Sequence, residues 1–194
     1  MGKRSWPAQR RHLAGAVLGS LAVLALLTGG LATPAGALPV RTWTLTDGFE
    51  ADPAGLWTFG GNPDCPYCGS ISDDPWQAHS GTRWASIETK APNSWYSAAR
   101  TVALAPPTTS ATCALQMFVK VPAGTVNVEV INPTTWTYLA LTTVGVSTDY
   151  RLVTTPAWRT APRDVVVRAS VVRTGSPPTT AFANIDDVTV RCTY

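Results

Sequence analysis

The chain has 194 residues, 45% of them hydrophobic and 14% charged, with a formal net charge of +3. That length suits one domain with a short extra segment; it is too apolar for a disordered chain and too short for most barrel enzymes. The positive charge is local. Lys3, Arg4, Arg10 and Arg11 supply it, and after Ala37 eleven basic residues face twelve acidic ones, which argues against a nucleic-acid binder.

Residues 1–37 read as an export signal: a basic head, an apolar run over 13–27, and Ala35-Gly36-Ala37 as a cleavage-type end. The run is shorter than the ~20 residues a membrane span needs, so removal rather than anchoring is expected. Arg10-Arg11 resembles a twin-arginine signal, but the residues after the pair match poorly, and ordinary export is expected.

From residue 38 onward, period-two alternation recurs and period 3.6 does not. The expected strands are 42–46, 56–60, 83–88, 97–104, 111–121, 125–131, 135–144, 150–155, 165–173 and 182–191. They are rich in Val, Thr, Trp and Tyr, and turn clusters such as Pro122-Ala123-Gly124 separate them. About ten antiparallel strands with this spacing predict a single all-β domain over 38–194, a β-sandwich. In 125–130 the alternation sends Val126, Val128 and Val130 inward against Asn127 and Glu129. The consecutive valines of 165–173 suggest a strand covered on both faces or lying at a sheet crossing. Near the end, Asp186 is in phase with Val188 and Val190, which predicts a core-facing carboxylate that needs a cation or several donors.

Four cysteines follow the signal, and three pairings are possible. Locality favours Cys65–Cys68, inside a loop of Gly, Pro, Asp and Ser, with Cys113 and Cys192 on neighbouring strands. A redox Cys-x-x-Cys would precede a helix pattern, which is missing here. A zinc site would need a second paired spacing, so structural disulfides of an exported protein are expected.

Asp47-Gly48-Phe49-Glu50, Trp57, His79-Ser80-Gly81-Thr82 and Ile185-Asp186-Asp187-Val188 occur in one order along the chain. This set resembles the jelly-roll, galactose-binding-like carbohydrate-binding modules attached to bacterial xylanases and cellulases. The resemblance implies a structural calcium ion. Side-chain oxygens would come from Glu50 and Asp186, with Asp187 as the alternative, and carbonyls from near Gly48, His79 and Thr82. Mixed carboxylates and carbonyls suit this hard cation. The motifs do not carry the family's glycan-binding residues.

A catalytic constellation is hard to assemble. His79 is the only histidine after the signal, its neighbour Ser80 does not by adjacency make a triad, and the remaining acids are scattered. Seven tryptophans after residue 37 point instead to ring-stacking on sugars, whose C–H faces match an aromatic plane. The candidate binding residues are Trp76, Trp95, Tyr96, Trp136, Tyr138 and Trp158, and the resemblance implies that Trp57 belongs to the core. The leading expectation is a secreted, monomeric, non-catalytic domain that binds a polysaccharide or oligosaccharide. It would contact neither nucleic acid nor, once the signal is removed, a membrane. A protein-interaction domain on the same fold is the alternative, and a small glycan-acting hydrolase or lyase a third.

Overall fold

The computed structural model describes residues 39–51, 55–63, 65–106, 110–159, 163–174 and 180–194. The expected export signal lies outside the described residues. Residues 39–194 form one compact unit, and no helix occurs among its described residues.

Among the described residues, twelve strands, all paired antiparallel, build two sheets. The first sheet holds β1 (Thr42–Asp47), β3 (Gly69–Asp73), β4 (Arg83–Thr89), β6 (Thr112–Ala123), β9 (Arg151–Thr154), β10 (Trp158–Arg159) and β12 (Ala181–Thr193). Its path runs β10-β6-β12-β4-β3, with β9 also on β6 and β1 on the second half of β12. The second sheet has the order β2 (Thr58–Asn62), β5 (Ser94–Ala103), β11 (Asp164–Arg173), β7 (Thr125–Ile131) and β8 (Tyr138–Val144). The chain crosses repeatedly from one sheet to the other, so each sheet is assembled from strands distant in sequence. One crossing takes a single residue. Gly124, at φ +84°, links β6 to β7, and a Cβ there would lie 2.6 Å from that of Ala181.

The core lies between the sheets. Leu115, Met117, Val119 and Val121 of β6 face Val126, Val128 and Val130 of β7 and Val165, Val167, Ala169 and Val171 of β11, all fully buried. Each of these valine, leucine and methionine side chains contributes about 1.5–3 kcal/mol of transfer free energy. Phe49 packs on Trp57 with ring centroids 5.0 Å apart, closing one end. The expected strands are present, with two additions. Gly69–Asp73 pairs with β4 although its Gly-Ser-Asp composition reads as loop, and Trp158–Arg159 adds a short edge. Cys113 and Cys192 are directly opposite on β6 and β12 and form a disulfide; Cys65–Cys68 closes the turn before β3.

The end of β12 departs from the expected phase. A bulge between Asp186 and Thr189, with Asp187 at φ +46°, shifts the register. Ala183 and Ile185 face the core before it; Val188, Val190 and Cys192 face the core after it. Asp186 therefore points to the opposite side of the sheet from Ile185, not into the core. It is nevertheless fully buried, because the turn around His79 folds over it.

Candidate functional site: an aromatic and polar sheet face

The outward face of the second sheet gathers a set of polar side chains. Register places Asn62, Trp95, Val172 and Thr125 in one row across β2, β5, β11 and β7. The next row holds Gly60, Ser97, Ser170, Asn127 and Thr143, and the next Thr58, Ala99, Arg168, Glu129 and Leu141. The alternation that buries the valines of β7 and β11 puts these polar residues outside. Covered on its core side by the first sheet, β11 is largely covered on its other side too, where Val166 and Ser170 are buried beside Arg168.

Arg168 and Glu129 form an ion pair through Nε and Oε2, with Glu129 2% exposed. The Ser170 hydroxyl donates to the same carboxylate oxygen at 3.2 Å. The guanidinium carbon of Arg168 lies 5.5 Å from the centre of the Trp95 ring, at cation–π range. Ser97 donates to the Gly60 carbonyl at 3.1 Å, and Thr143 to Asn127 Oδ1 at 2.9 Å. The result is a net-neutral floor of donors and acceptors, with an indole, 38% exposed, standing beside it. That combination can hydrogen-bond hydroxyls while stacking an apolar ring face.

The sequence-predicted aromatics divide. Trp95 belongs to this face, and Tyr138, 56% exposed, lies at its far corner opposite Ile131. Trp136 is exposed in the turn that Asn132 organises through its side chain and carbonyl. Trp76 stands 93% exposed on a separate turn held by Asp74. Tyr96 and Trp158 are corrections. At 2% and 4% exposure they are core residues, Tyr96 because it alternates with Trp95, and Trp158 because its edge strand turns it inward beside Cys113. Arg168, Glu129 and Ser170 were missed as a group. Their signal was present: an arginine interrupting a valine run, and Glu129 in phase with Asn127.

The residues expected around calcium do converge. Glu50 accepts the N–H groups of Thr82 and Arg83 at 2.8 and 2.7 Å and the Thr82 hydroxyl at 3.0 Å, which holds its carboxyl below the usual range. Asp186 accepts from the backbone of His79, Ser80 and Asp187 at 2.8, 3.2 and 2.7 Å. Burial still outweighs those donors and raises its pKa to about 6. Asp187 binds the His79 ring at 2.6 Å and the Ser80 hydroxyl at 2.8 Å, and a Cβ on Gly48 would meet its Oδ1 at 3.2 Å. Ser80 thus donates to Asp187 rather than to the imidazole, and no nucleophile–base relay forms. As a cation site the set fits in part. The oxygens of Asp186 are committed to N–H groups, whereas Asp187 has only adjustable side-chain partners and faces Gly48 and Glu50. Among the described residues, no group of three His, Cys, Asp or Glu side chains could hold a metal ion.

The architecture is that of the β-sandwich carbohydrate-binding modules of xylanases and cellulases. A family 61 module solved with β-1,4-galactotriose superposes with a TM-score of 0.53 at 14% identity, over 74% of this chain and 92% of that one. The Clostridium thermocellum xylanase 10B structure that joins a family 22 module to its GH10 module, complexed with xylohexaose, matches at 0.53 and 16%, over 76% of this chain and 28% of that one. A xylan-binding family 22 module of Paenibacillus barcinonensis matches at 0.50 and 9%, covering 76% and 92%. No protein-family model matches the sequence, and no curated protein matches it.

Proposed function

We propose that this chain is a secreted, non-catalytic domain that binds a neutral polysaccharide across the outward face of its second sheet. The observation that carries the reading is the exposed Trp95 beside the self-neutralised Arg168–Glu129 pair. A neutral floor does not repel an uncharged chain, and its accessible polar groups, Asn62, Thr125, Asn127, Thr143 and Arg168, can hydrogen-bond hydroxyls. The fold shared with sugar-binding modules supports the same class. Export is supported by the pattern of residues 1–37 and by two disulfides, which persist in oxidising compartments. A calcium ion between Glu50 and Asp187, completed by carbonyls near Gly48 and Thr82, would join three chain segments without taking part in binding.

Affinity electrophoresis against soluble xylan, mixed-linkage glucan, mannan and galactan tests this reading. Retardation on at least one gel is expected. Trp95→Ala should abolish it while leaving the thermal melt within a few degrees. A folded protein that none of the four glycans retards would refute it.

A further inference from the structure

The opposite sheet carries a second open surface. Its outward side is divided by the bulge of β12. On one half the turn 74–80 and Tyr150 cover Asp186, with Tyr150 donating to the Gln77 carbonyl at 2.9 Å. The other half is bare. Thr46, Thr189 and Gln116 form one row across β1, β12 and β6, and Thr44, Arg191 and Ala114 the next.

Two clefts occupy this half, one of about 370 Å³ and one of about 230 Å³, and both are lined by Gln116. Because both touch Gln116, they adjoin along β6 as a two-part trough. The larger cleft ends on Phe118 and Leu152, a pair fixed by the strand register. Leu152 is 53% exposed, and the Phe118 ring is backed by His79 at 3.5 Å between centroids. Together Phe118 and Leu152 form an apolar platform at this end of the cleft, one face of the Phe118 ring being taken by His79. The smaller cleft ends on Arg191, Thr193 and Thr112, with no carboxylate in its lining. Arg191 is exposed and in no ion pair among the described residues. From Ala114, opposite Arg191, to Phe118 is about 14 Å at the rise of an extended strand.

We propose that this trough is a second glycan-binding site, selective for an oligosaccharide that carries a carboxylate, that is, a uronate. Arg191 takes the carboxylate as a charge-assisted, two-pronged hydrogen bond, and the platform of Phe118 and Leu152 takes the apolar face of a ring further along. Gln116 and the threonines between them serve the hydroxyls. The contrast with the first face is electrostatic. Arg168 there is neutralised by Glu129, whereas Arg191 is left to pair with the ligand. Two carboxylates line the larger cleft, Asp47, paired with Arg100, and Asp187, engaged by His79 and Ser80, so the trough favours a ligand charged at the Arg191 end.

The test is calorimetric titration of the protein with trigalacturonate and with α-1,4-galactotriose, which differ only in carboxylate against hydroxymethyl. Trigalacturonate should bind, more weakly as salt rises, and Arg191→Gln should weaken it by about tenfold, the factor that ~1.4 kcal/mol represents. Gln116→Ala should weaken it as well, Arg163→Gln should not although it removes the same charge, and Trp95→Ala should leave it intact. No binding at low salt, equal binding by Arg191→Gln, or loss on Trp95→Ala would each overturn the second site. Neutral-glycan retardation, which depends on Trp95, reads the first site separately.

Discussion

Two arginine–carboxylate pairs show how placement sets the role of a residue. Arg168–Glu129 sits on an outward face with side chains 18% and 2% exposed, so a ligand reaches only the arginine end of the pair. Arg100–Asp47 sits at one end of the core, with side chains 16% and 9% exposed. There Asp47 also accepts the Trp57 indole N–H at 2.8 Å and the Phe49 backbone N–H at 2.9 Å. This network ties β1 to β5 and orients the Phe49–Trp57 contact. Removing one member of a buried pair leaves an uncompensated charge, which costs about 3–5 kcal/mol. Arg100→Met should therefore lower stability in urea by about 3 kcal/mol with an unchanged slope, and a loss under ~1 kcal/mol would contradict a structural role for the pair. The sequence identified Asp47 as part of a motif. It could not identify Arg100 as its partner, because 53 residues separate them.

The bulged end of β12 is an element-scale device. Strict alternation predicted that Asp186 faces the core with Val188 and Val190, and the extra residue at Asp187 reverses that. What was legible was the need of a buried carboxylate for several donors, and three backbone N–H groups meet it. Gly81, at φ +64°, lets the turn 79–83 approach Glu50 so closely that a Cβ would collide with the carboxylate. The turn, Glu50 and Asp187 come from three distant segments, so an ion held between them stabilises the folded chain by mass action, ~2.7 kcal/mol at a hundredfold excess over Kd. Chelation of the calcium-loaded protein should lower Tm by about 5 °C, restored by calcium and not by magnesium. An unchanged melt after verified metal removal would mean that the N–H donors suffice.

At the scale of the whole molecule, the repeated crossing between sheets means that few contacts are local. Cys113–Cys192 links β6 and β12 across a separation of 79 residues, next to the strand pair that anchors the first sheet. Replacing both cysteines by alanine should cost about 2–5 kcal/mol in guanidinium unfolding while the β-sheet signal is retained. A cost below ~1 kcal/mol would show that strand pairing alone holds this register. The sandwich class and ten of the twelve strands could be read from the sequence, because alternation and composition are local properties repeated along the chain; the disulfides were one of three possible pairings, and the burial of Trp57 came from the resemblance. Which tryptophan faces out could not. Trp95 and Tyr96 are adjacent and equally aromatic, and only the pairing of β5 between β2 and β11 decides that the first is open and the second buried. The two outward troughs were likewise invisible, because Arg168, Glu129 and Trp95, or Arg191, Gln116 and Phe118, become neighbours only when strands far apart in sequence are hydrogen-bonded side by side.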